Sequence, residues 1–211
     1  MLKVWIAGAN GQIGRALNDV LDPMQIEALN TDVDELDITD TDEVINFGTV
    51  NRPDVIINCT GITDTDECEE NPEHAYRVNA LGARNLSIVA RKCGSKIVQL
   101  STDVFDGQSK KPYTEFDDTN PLTVYGRSKR AGENYVKEFT HKHFVIRSNW
   151  VYGHGGRNFV NRVLEAAESG RALSVASDQF GSPTSAKDLA RMILYLISTN
   201  EYGTYHVTCS G

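Results

Sequence analysis

Short apolar segments of strand length alternate with helical patterns along most of this 211-residue chain. Strands that are apolar on both faces need cover on both faces, and helical crossovers provide it, so the alternation predicts a parallel sheet in a doubly wound α/β fold. The predicted strands are residues 2–7, 26–29, 54–58, 96–100, 143–147 and 205–207. The predicted helices are residues 13–21, 40–50, 74–93, one that begins near 123, 158–169 and 186–198.

The alternation becomes less regular after about Tyr152, and this suggests how the chain is divided. Residues 1–151 are expected to form the main α/β domain. Residues 152–211 are expected to form a partial second region, some segments of which return to the main sheet.

The composition excludes several classes of protein. Hydrophobic residues make up 40% of the chain, which allows a sizeable core. The 29 acidic and 21 basic residues give a net charge of −8, and this charge opposes the phosphate neutralisation on which nucleic-acid binding depends. No apolar run approaches the roughly 18 residues needed to span a bilayer, and the N-terminus leaves no room for a signal peptide. We therefore expect a cytoplasmic protein with neither a nucleic-acid nor a membrane partner.

The four cysteines, at positions 59, 68, 93 and 209, are widely spaced. They form no Cys-x-x-Cys pair, so the sequence suggests neither a zinc site nor a disulfide framework. All four are expected to be reduced, with Cys59 buried in a strand.

A glycine-rich turn follows the first predicted strand, with the spacing Gly8-x-x-Gly11-Gln12-Ile13-Gly14. Glycines at such a turn let the backbone approach a pyrophosphate, and the following helix directs its N-terminus at the phosphates. A tight strand-to-helix turn uses glycine for structural reasons too. The position in the first βαβ unit favours dinucleotide binding, as in a Rossmann fold.

The end of the second strand is expected to contact the adenosine ribose of that dinucleotide. The candidates are Asn30 and Asp32, with Asp37 and Ile38 further along. No arginine follows to neutralise a 2′-phosphate, which favours NADH over NADPH.

Tyr125 and Lys129 lie four residues apart on a predicted helix, so they share one face. A nearby cation stabilises a phenolate, so the sequence predicts that Lys129 lowers the pKa of Tyr125 and prepares it for proton transfer. A tyrosine and a lysine on the surface of an amphipathic helix, without any catalytic role, would have the same spacing. The glycine turn upstream and the Ser101-Thr102 pair after a strand favour the catalytic interpretation.

Together these features resemble the extended short-chain dehydrogenase/reductase family, and within it the reductases of dTDP-linked 4-keto-6-deoxy sugars that serve cell-surface polysaccharide biosynthesis. The resemblance covers essentially the whole chain. Besides the glycine turn and the Tyr-x-x-x-Lys pair, it is carried by Leu36-Asp37-Ile38, Pro53-Asp54-Val-Ile-Ile-Asn58, Asn79-x-x-Gly82, Ser101-Thr102-Asp103, Arg147-x-x-Trp150-Val-Tyr152 and Asp178-Gln179-Phe180-Gly181-Ser-Pro183-Thr184.

The resemblance implies roles for individual residues. Tyr125 would donate a proton to the sugar C4 oxygen as NADH or NADPH delivers hydride, Lys129 would bind the nicotinamide ribose, and Thr102 would hydrogen-bond the reacting oxygen. Asn79 would support the site. The remaining cofactor contacts would be Gly61, Ile62, Thr63 and Leu100, and the substrate contacts Thr102, Asp103 and Trp150. Three of these residues also have a purely structural interpretation. Thr102 could only cap a strand, Asn79 could be an amide that packs between helices, and Trp150 could only anchor the core.

The resemblance further implies a dTDP-sugar substrate, a homodimer and a magnesium ion that the sequence does not locate. Three departures from the family pattern bear on these expectations. Ser101-Thr102-Asp103 continues directly into Val104 without the usual intervening residue, and no glutamate follows Asp103, which argues against a dehydratase. The family pattern also continues beyond residue 211, so the substrate-binding region 152–211 is expected to be truncated.

Two further functions remain compatible with these motifs. A non-catalytic subunit that binds the cofactor and regulates another enzyme would keep the Tyr-x-x-x-Lys pair. A nucleotide-sugar epimerase would hold NAD tightly and consume none of it. The whole-chain resemblance favours the reductase.

Overall fold

The computed structural model describes residues 1–109, 111–154, 156 and 158–210. Its strands in this part of the chain are β1 (Leu2–Ala7), β2 (Ile26–Thr31), β3 (Val55–Asn58), β4 (Lys96–Ser101), β5 (His143–Arg147), β6 (Val151–Tyr152), β7 (Thr184–Ser185) and β8 (Gly203–His206). Within the described residues, six of these strands form one parallel sheet in the order β2-β1-β3-β4-β5-β8, and β6 pairs with β7 separately.

The helices lie between these strands. They are α1 (Gln12–Val20), α2 (Thr41–Asn51), α3 (Thr65–Glu70), α4 (Pro72–Tyr76), α5 (Ala83–Cys93), α6 (Val124–Phe139), α7 (Phe159–Ser169) and α8 (Ala186–Ser198). A π-helical segment, Arg77–Gly82, joins α4 to α5.

Alternate residues of each central strand face two different cores. In β1, Val4 and Ile6 pack in a core to which α1 and α8 contribute. Trp5 and Ala7 face the other core, to which α2, α5 and α6 contribute. Helices thus cover both faces of a parallel sheet, and the doubly wound α/β fold predicted from the sequence is confirmed.

The strand order places β1 between β2 and β3, so the chain changes direction across the sheet at β1 and β3. Ligands of open α/β sheets bind beyond the carboxyl ends of the strands at such a switch point. Three segments leave the sheet at the carboxyl ends of its strands, and they begin at Gly8, Cys59 and Thr102.

The single helix predicted over 74–93 is wrong in detail, because α4, the π-helical segment and α5 share this range. Apolar periodicity does not distinguish a π-helical turn from an α-helical one. The sequence also missed α3, whose polar residues show no apolar face; Asp64 begins this helix by accepting hydrogen bonds from the Asp66 and Glu67 N–H groups.

The predicted strands 2–7 and 143–147 match β1 and β5, and the ends of the other four strands of the main sheet differ from the prediction by one or two residues. β3 pairs with β4 as far as Asn58, so Cys59 directly follows the strand, where a buried position within it was expected. The last strand is Gly203–His206. The four cysteines, all within the described residues, are free.

Two segments after residue 151 do pack on the main sheet. β8 pairs with β5 at the edge, and the apolar face of α8 lies against α1. The boundary at 151/152 itself stays a prediction. Over the ranges that the structure describes, no helix is long and apolar enough to cross a membrane.

Candidate active site

The turn between β1 and α1 has no room for a side chain at Gly8 or Gly14. Gly8 has a φ of +80°, a left-handed conformation that glycine adopts without strain. A Cβ atom on Gly14 would lie 2.3 Å from the Gly8 carbonyl oxygen, so only glycine lets α1 begin this close to the strand. Gly11 precedes α1 and provides no side-chain cap for its first N–H groups. This cradle suits the pyrophosphate of a dinucleotide.

Gln12 and Ile13, which begin α1, both contact other parts of the protein. The Gln12 amide donates to the Val151 carbonyl oxygen at 2.9 Å and accepts from the Asn158 amide at 2.9 Å. Ile13 packs partly buried against the core beneath α1 and α8. The Gln12 side chain therefore ties the glycine turn to the chain segment that follows β5.

At the end of β2, the carboxylate that contacts the glycine turn belongs to Asp32, which accepts a hydrogen bond from the Asn10 N–H at 2.8 Å. Asn30 is exposed and donates to Asn18 of α1. Asp37 is exposed and accepts from the Thr39 N–H, whereas the Ile38 side chain is buried. Of the four candidates for the ribose contact, Asp32 lies against the glycine turn.

Asn79, in the π-helical segment, holds the loop after β3. Its side-chain oxygen accepts from the Ile62 N–H at 2.9 Å, and its amide nitrogen donates to the Ile62 carbonyl at 3.0 Å. Gly61 in this loop has a φ of +156°, and a Cβ there would lie 2.9 Å from the Asn79 side-chain oxygen and 3.3 Å from Lys129 Nζ. Thr63 follows in an exposed position. The β3 loop therefore lies directly beside Lys129.

Helix α6 supplies the tyrosine and the lysine. It begins after Thr123, whose hydroxyl accepts from the Gly126 N–H at 3.1 Å, so Tyr125 lies in the first turn and Lys129 in the next. Lys129 is only 4% exposed, whereas Tyr125 is half-buried. A Cβ on Gly132 would lie 2.4 Å from the Asn79 carbonyl oxygen, so this glycine lets α6 pack tightly on the π-helical segment.

Thr102 and Asp103 leave β4 toward the same place. Thr102 is buried and donates to the exposed Asp103 carboxylate at 2.7 Å. The Thr102 side chain also hydrogen-bonds Tyr125, and the Asp103 charge acts on the same phenol. Thr102, Asp103 and Tyr125 thus lie close together, and Lys129 follows Tyr125 by one turn of α6.

The pKa of Tyr125 differs from the sequence-based expectation. Burial raises it to about 12, although the Thr102 hydrogen bond acts in the opposite direction. The predicted lowering by Lys129 is therefore wrong for this structure, because loss of solvent around the phenol dominates. Tyr125 carries its proton at neutral pH.

Lys129 is shifted as well. Burial lowers its pKa from 10.5 to about 8, and the Glu133 carboxylate partly opposes this change. Since a pKa near 8 still leaves the amine mostly protonated at pH 7, the site contains a neutral phenol and an ammonium group one helical turn apart.

Trp150 and Leu100 lie in different surroundings. Trp150 is 46% exposed, has a φ of +46° and stacks against Gly181, whose added Cβ would lie 2.9 Å from the indole. The Thr184 N–H donates to the Trp150 carbonyl oxygen. Leu100 is 6% exposed and belongs to the core beneath α1 and α8.

Three further polar residues support this site and were not identified as such from the sequence. Ser128 accepts from the Asn79 amide at 2.9 Å and donates to the Tyr125 carbonyl at 2.8 Å. Glu133 and Arg147 form a buried ion pair beneath α6. Glu133 follows Lys129 by four residues, and that spacing is the signal that could have identified it.

No candidate magnesium site emerges from the described ranges. In residues 1–109, 111–154, 156 and 158–210, no group of three or more His, Cys, Asp or Glu side chains is placed to hold a metal ion. We therefore assign no step to the magnesium that the resemblance implies.

Comparisons with known proteins agree with this fold and motif pattern. Residues 2–211 match the family model described as the RmlD substrate binding domain. The chain is 40% identical to the spore coat polysaccharide biosynthesis protein SpsK of Bacillus subtilis, over 100% of this chain and 75% of SpsK. It is 38% identical to a dTDP-4-dehydrorhamnose reductase of Aggregatibacter actinomycetemcomitans, over 99% of this chain and 74% of that protein.

A solved structure extends the similarity to three dimensions. The dTDP-4-dehydrorhamnose reductase of Bacillus anthracis, determined in complex with NADP, superposes with a TM-score of 0.97 at 42% identity. The match covers 100% of this chain and 76% of that one. From the family model, the two relatives and this shared fold, we conclude that the chain belongs to the RmlD family, the family of the dTDP-4-dehydrorhamnose reductases.

Proposed function

We propose that this protein is an NAD(P)H-dependent reductase that converts the C4 keto group of dTDP-4-dehydrorhamnose to the alcohol of dTDP-rhamnose. Relatives that bear the reductase name match nearly the whole chain. The observation that carries the proposal is the proximity of Thr102 to Tyr125 at the carboxyl edge of the sheet, with Lys129 one turn further along α6. These groups suit reduction of a carbonyl, which needs a proton donor and stabilisation of charge on oxygen.

The glycine turn would hold the cofactor. Gly8, Gly11 and Gly14 leave a space at the N-terminus of α1 that a pyrophosphate fits, and a bound NADH or NADPH supplies the hydride. Asp32 and Asn30 lie at the end of β2, where the adenosine ribose is expected. Asp37 and Ile38, and the segment 61–63 with Leu100, would provide further contacts.

Tyr125 would act as the proton donor. Its phenol is protonated at neutral pH and only partly buried, so it can reach a substrate oxygen and transfer its proton. Thr102 would donate a hydrogen bond to the same oxygen, after exchanging its bond to Asp103. Lys129, whose Nζ lies beside Gly61 in the loop after β3, would bind the nicotinamide ribose.

The preference between the two nicotinamide cofactors follows from the end of β2. A relative has been solved with NADP. In this chain Asp32 is the acidic group next to the glycine turn, and a carboxylate there suits a ribose hydroxyl better than a phosphate. We therefore propose that NADPH is accepted and NADH preferred, which the ratio of kcat/KM for the two cofactors tests. The homodimer, the cytoplasmic location and the magnesium ion implied by the resemblance stay predictions.

The decisive experiment compares Tyr125→Phe with Tyr135→Phe, a control on the same helix. Loss of the proton donor should lower kcat for NADH oxidation with dTDP-4-dehydrorhamnose by about 10²–10⁴-fold. The affinity for NADH, measured by its fluorescence, should stay within about twofold of the wild-type value.

Each alternative function has its own outcome in this assay. Full activity of Tyr125→Phe would overturn the assigned mechanism. If the wild-type protein binds NADH but does not oxidise it with the keto sugar, the regulatory-subunit function is favoured. Tightly bound NAD that purifies with the protein and is not consumed would indicate an epimerase.

A further inference from the structure

A buried ion pair links α6 to the central sheet. Arg147, the last residue of β5, donates from Nε to Glu133 Oε1 at 3.0 Å and from Nη2 to Glu133 Oε2 at 2.8 Å. The two side chains are 5% and 1% exposed. Removing two charges from water carries a large desolvation cost, so a buried ion pair is weak evidence for stability by itself.

Glu133 lies on the same buried side of α6 as Lys129, one turn further along the helix. Although burial favours its protonated form, hydrogen bonding to Arg147 brings the pKa of Glu133 below its ordinary value, so the carboxylate is ionised. Lys137, at 3.3 Å, contacts the same carboxylate from the exposed side of the helix. The anion is thus fixed in place one turn from the amine.

The groups that face Lys129 from other elements are two thiols, Cys59 after β3 and Cys68 in α3. Burial raises the pKa of both, that of Cys59 to about 12, so they are neutral at physiological pH. Glu133 is accordingly the ionised group that favours the charged form of Lys129 against the effect of burial.

Arg147 also contacts the segment that carries Thr102. Its guanidinium lies over the ring of Phe105, 5.4 Å from the ring centre. Phe105 follows Thr102 by three residues and stacks on Tyr113 with ring centres 4.2 Å apart. One arginine side chain therefore touches both the helix that bears Tyr125 and the loop that begins with Thr102.

We propose that the Arg147–Glu133 ion pair is a positioning element of the site: it fixes α6 against the loop after β4, and its carboxylate keeps Lys129 protonated. Neither residue is assigned a contact with substrate or cofactor. The placement of α6 and the charge of Lys129 are properties of the protein alone, whereas the effect on turnover rests on the proposed function.

The direct test is a pH titration of Lys129 by NMR in protein labelled at lysine, with the resonance assigned through Lys129→Met. In Glu133→Gln the titration midpoint should fall by roughly one pH unit, because an opposite charge near a titrating group contributes on that scale. The exposed Glu138→Gln on the same helix should leave it unchanged. An unchanged midpoint in Glu133→Gln would overturn the proposal.

Glu133→Gln leaves Arg147 buried without its partner and can prevent folding, so a second variant is needed. The double variant Glu133→Gln/Arg147→Met removes both charges together, and it should lower the midpoint of Lys129 in the same direction but by less, because a positive charge is lost as well. Two conservative variants separate the two roles of the pair. Glu133→Asp keeps the carboxylate and should restore the midpoint of Lys129 toward the wild-type value, whereas Arg147→Lys keeps a cation but loses the two parallel hydrogen bonds that position α6. If the double variant titrates Lys129 as the wild-type protein does, the pair has a structural role only.

Kinetics then separate this inference from the proposed function. In the double variant kcat should fall by about tenfold or more while the affinity for NADH changes less than about twofold, and the alkaline limb of the pH profile should move to lower pH. A merely structural pair would lower activity equally at every pH. Absence of NADH oxidation by the wild-type protein would count against the reductase function, whereas the NMR result would still decide the role of the pair.

Discussion

Asn79 and Ser128 are hydrogen-bonded between the π-helical segment and α6, with the Asn79 amide nitrogen 2.9 Å from the Ser128 hydroxyl. Asn79 also binds both backbone groups of Ile62, and Ser128 donates to the Tyr125 carbonyl. A single amide therefore connects the β3 loop with the helix that carries the proposed proton donor. π-helical turns occur frequently at functional sites, and here the turn contains the residue that joins these elements.

Replacing this amide should loosen both elements. Asn79→Ala leaves the Ile62 N–H without its partner and the Ile62 carbonyl with only the weak Cys68 thiol donor, and an unsatisfied buried group costs about 1–3 kcal/mol. We expect the free energy of unfolding in urea to fall by at least that amount. Asn134→Ala, at an exposed position on α6, is the control. Equal stability of the two variants would contradict the role assigned to Asn79.

Steric fit in the glycine turn predicts that alanine substitutions at Gly14 and Gly11 have different effects on stability. A Cβ on Gly14 would lie 2.3 Å from the Gly8 carbonyl oxygen, whereas one on Gly11 would lie 3.3 Å from it. Gly14→Ala should therefore destabilise the fold by about 1–3 kcal/mol, and Gly11→Ala by clearly less, since its φ of −70° suits alanine. Thermal unfolding of the two variants without cofactor checks this. A larger loss for Gly11→Ala would refute the packing explanation.

Protonated Lys129 should lower the free energy of unfolding, because its ammonium group is buried. Its pKa is about 8 in the fold against an ordinary value of 10.5, so the penalty is fully present below pH 8 and disappears as pH rises toward 10.5. Lys129→Met should therefore stabilise the protein at pH 7 by up to about 3 kcal/mol while abolishing turnover. Urea unfolding at pH 7 measures this, with the exposed Lys92→Met as control. A Lys129→Met protein less stable than wild type would contradict the burial effect.

Trp150 offers a spectroscopic prediction. Because a Cβ on Gly181 would lie 2.9–3.1 Å from three indole atoms, Gly181→Ala must displace this ring. Trp5, the second tryptophan of the chain, is fully buried, so quenching of fluorescence by acrylamide reports on Trp150. We expect increased quenching, and a KM for the dTDP-sugar raised about tenfold, equivalent to about 1.4 kcal/mol, if the indole contacts substrate. Ser182→Ala should change neither measurement.

The sequence alone predicted the features that depend on local order. Strand-length apolar runs and helical periodicity predicted the six strands of the main sheet and its doubly wound arrangement, because the central strands are buried on both faces and are therefore apolar throughout. The glycine spacing after β1 and the Tyr-x-x-x-Lys spacing on α6 predicted which residues meet at the carboxyl edge. Both motifs depend on neighbours within one turn or one helix, and such neighbours are visible in a linear pattern.

Tertiary structure decided the properties that depend on distant partners. Asn79 meets Ser128, and Arg147 meets Glu133, only because α6 packs between the π-helical segment and β5. The pKa of Tyr125 was predicted in the wrong direction, since the sequence shows the cation four residues away but not the burial of the phenol. The charges of residues and their spacing can be read from the sequence, whereas the loss of solvent around a side chain depends on how the folded chain packs.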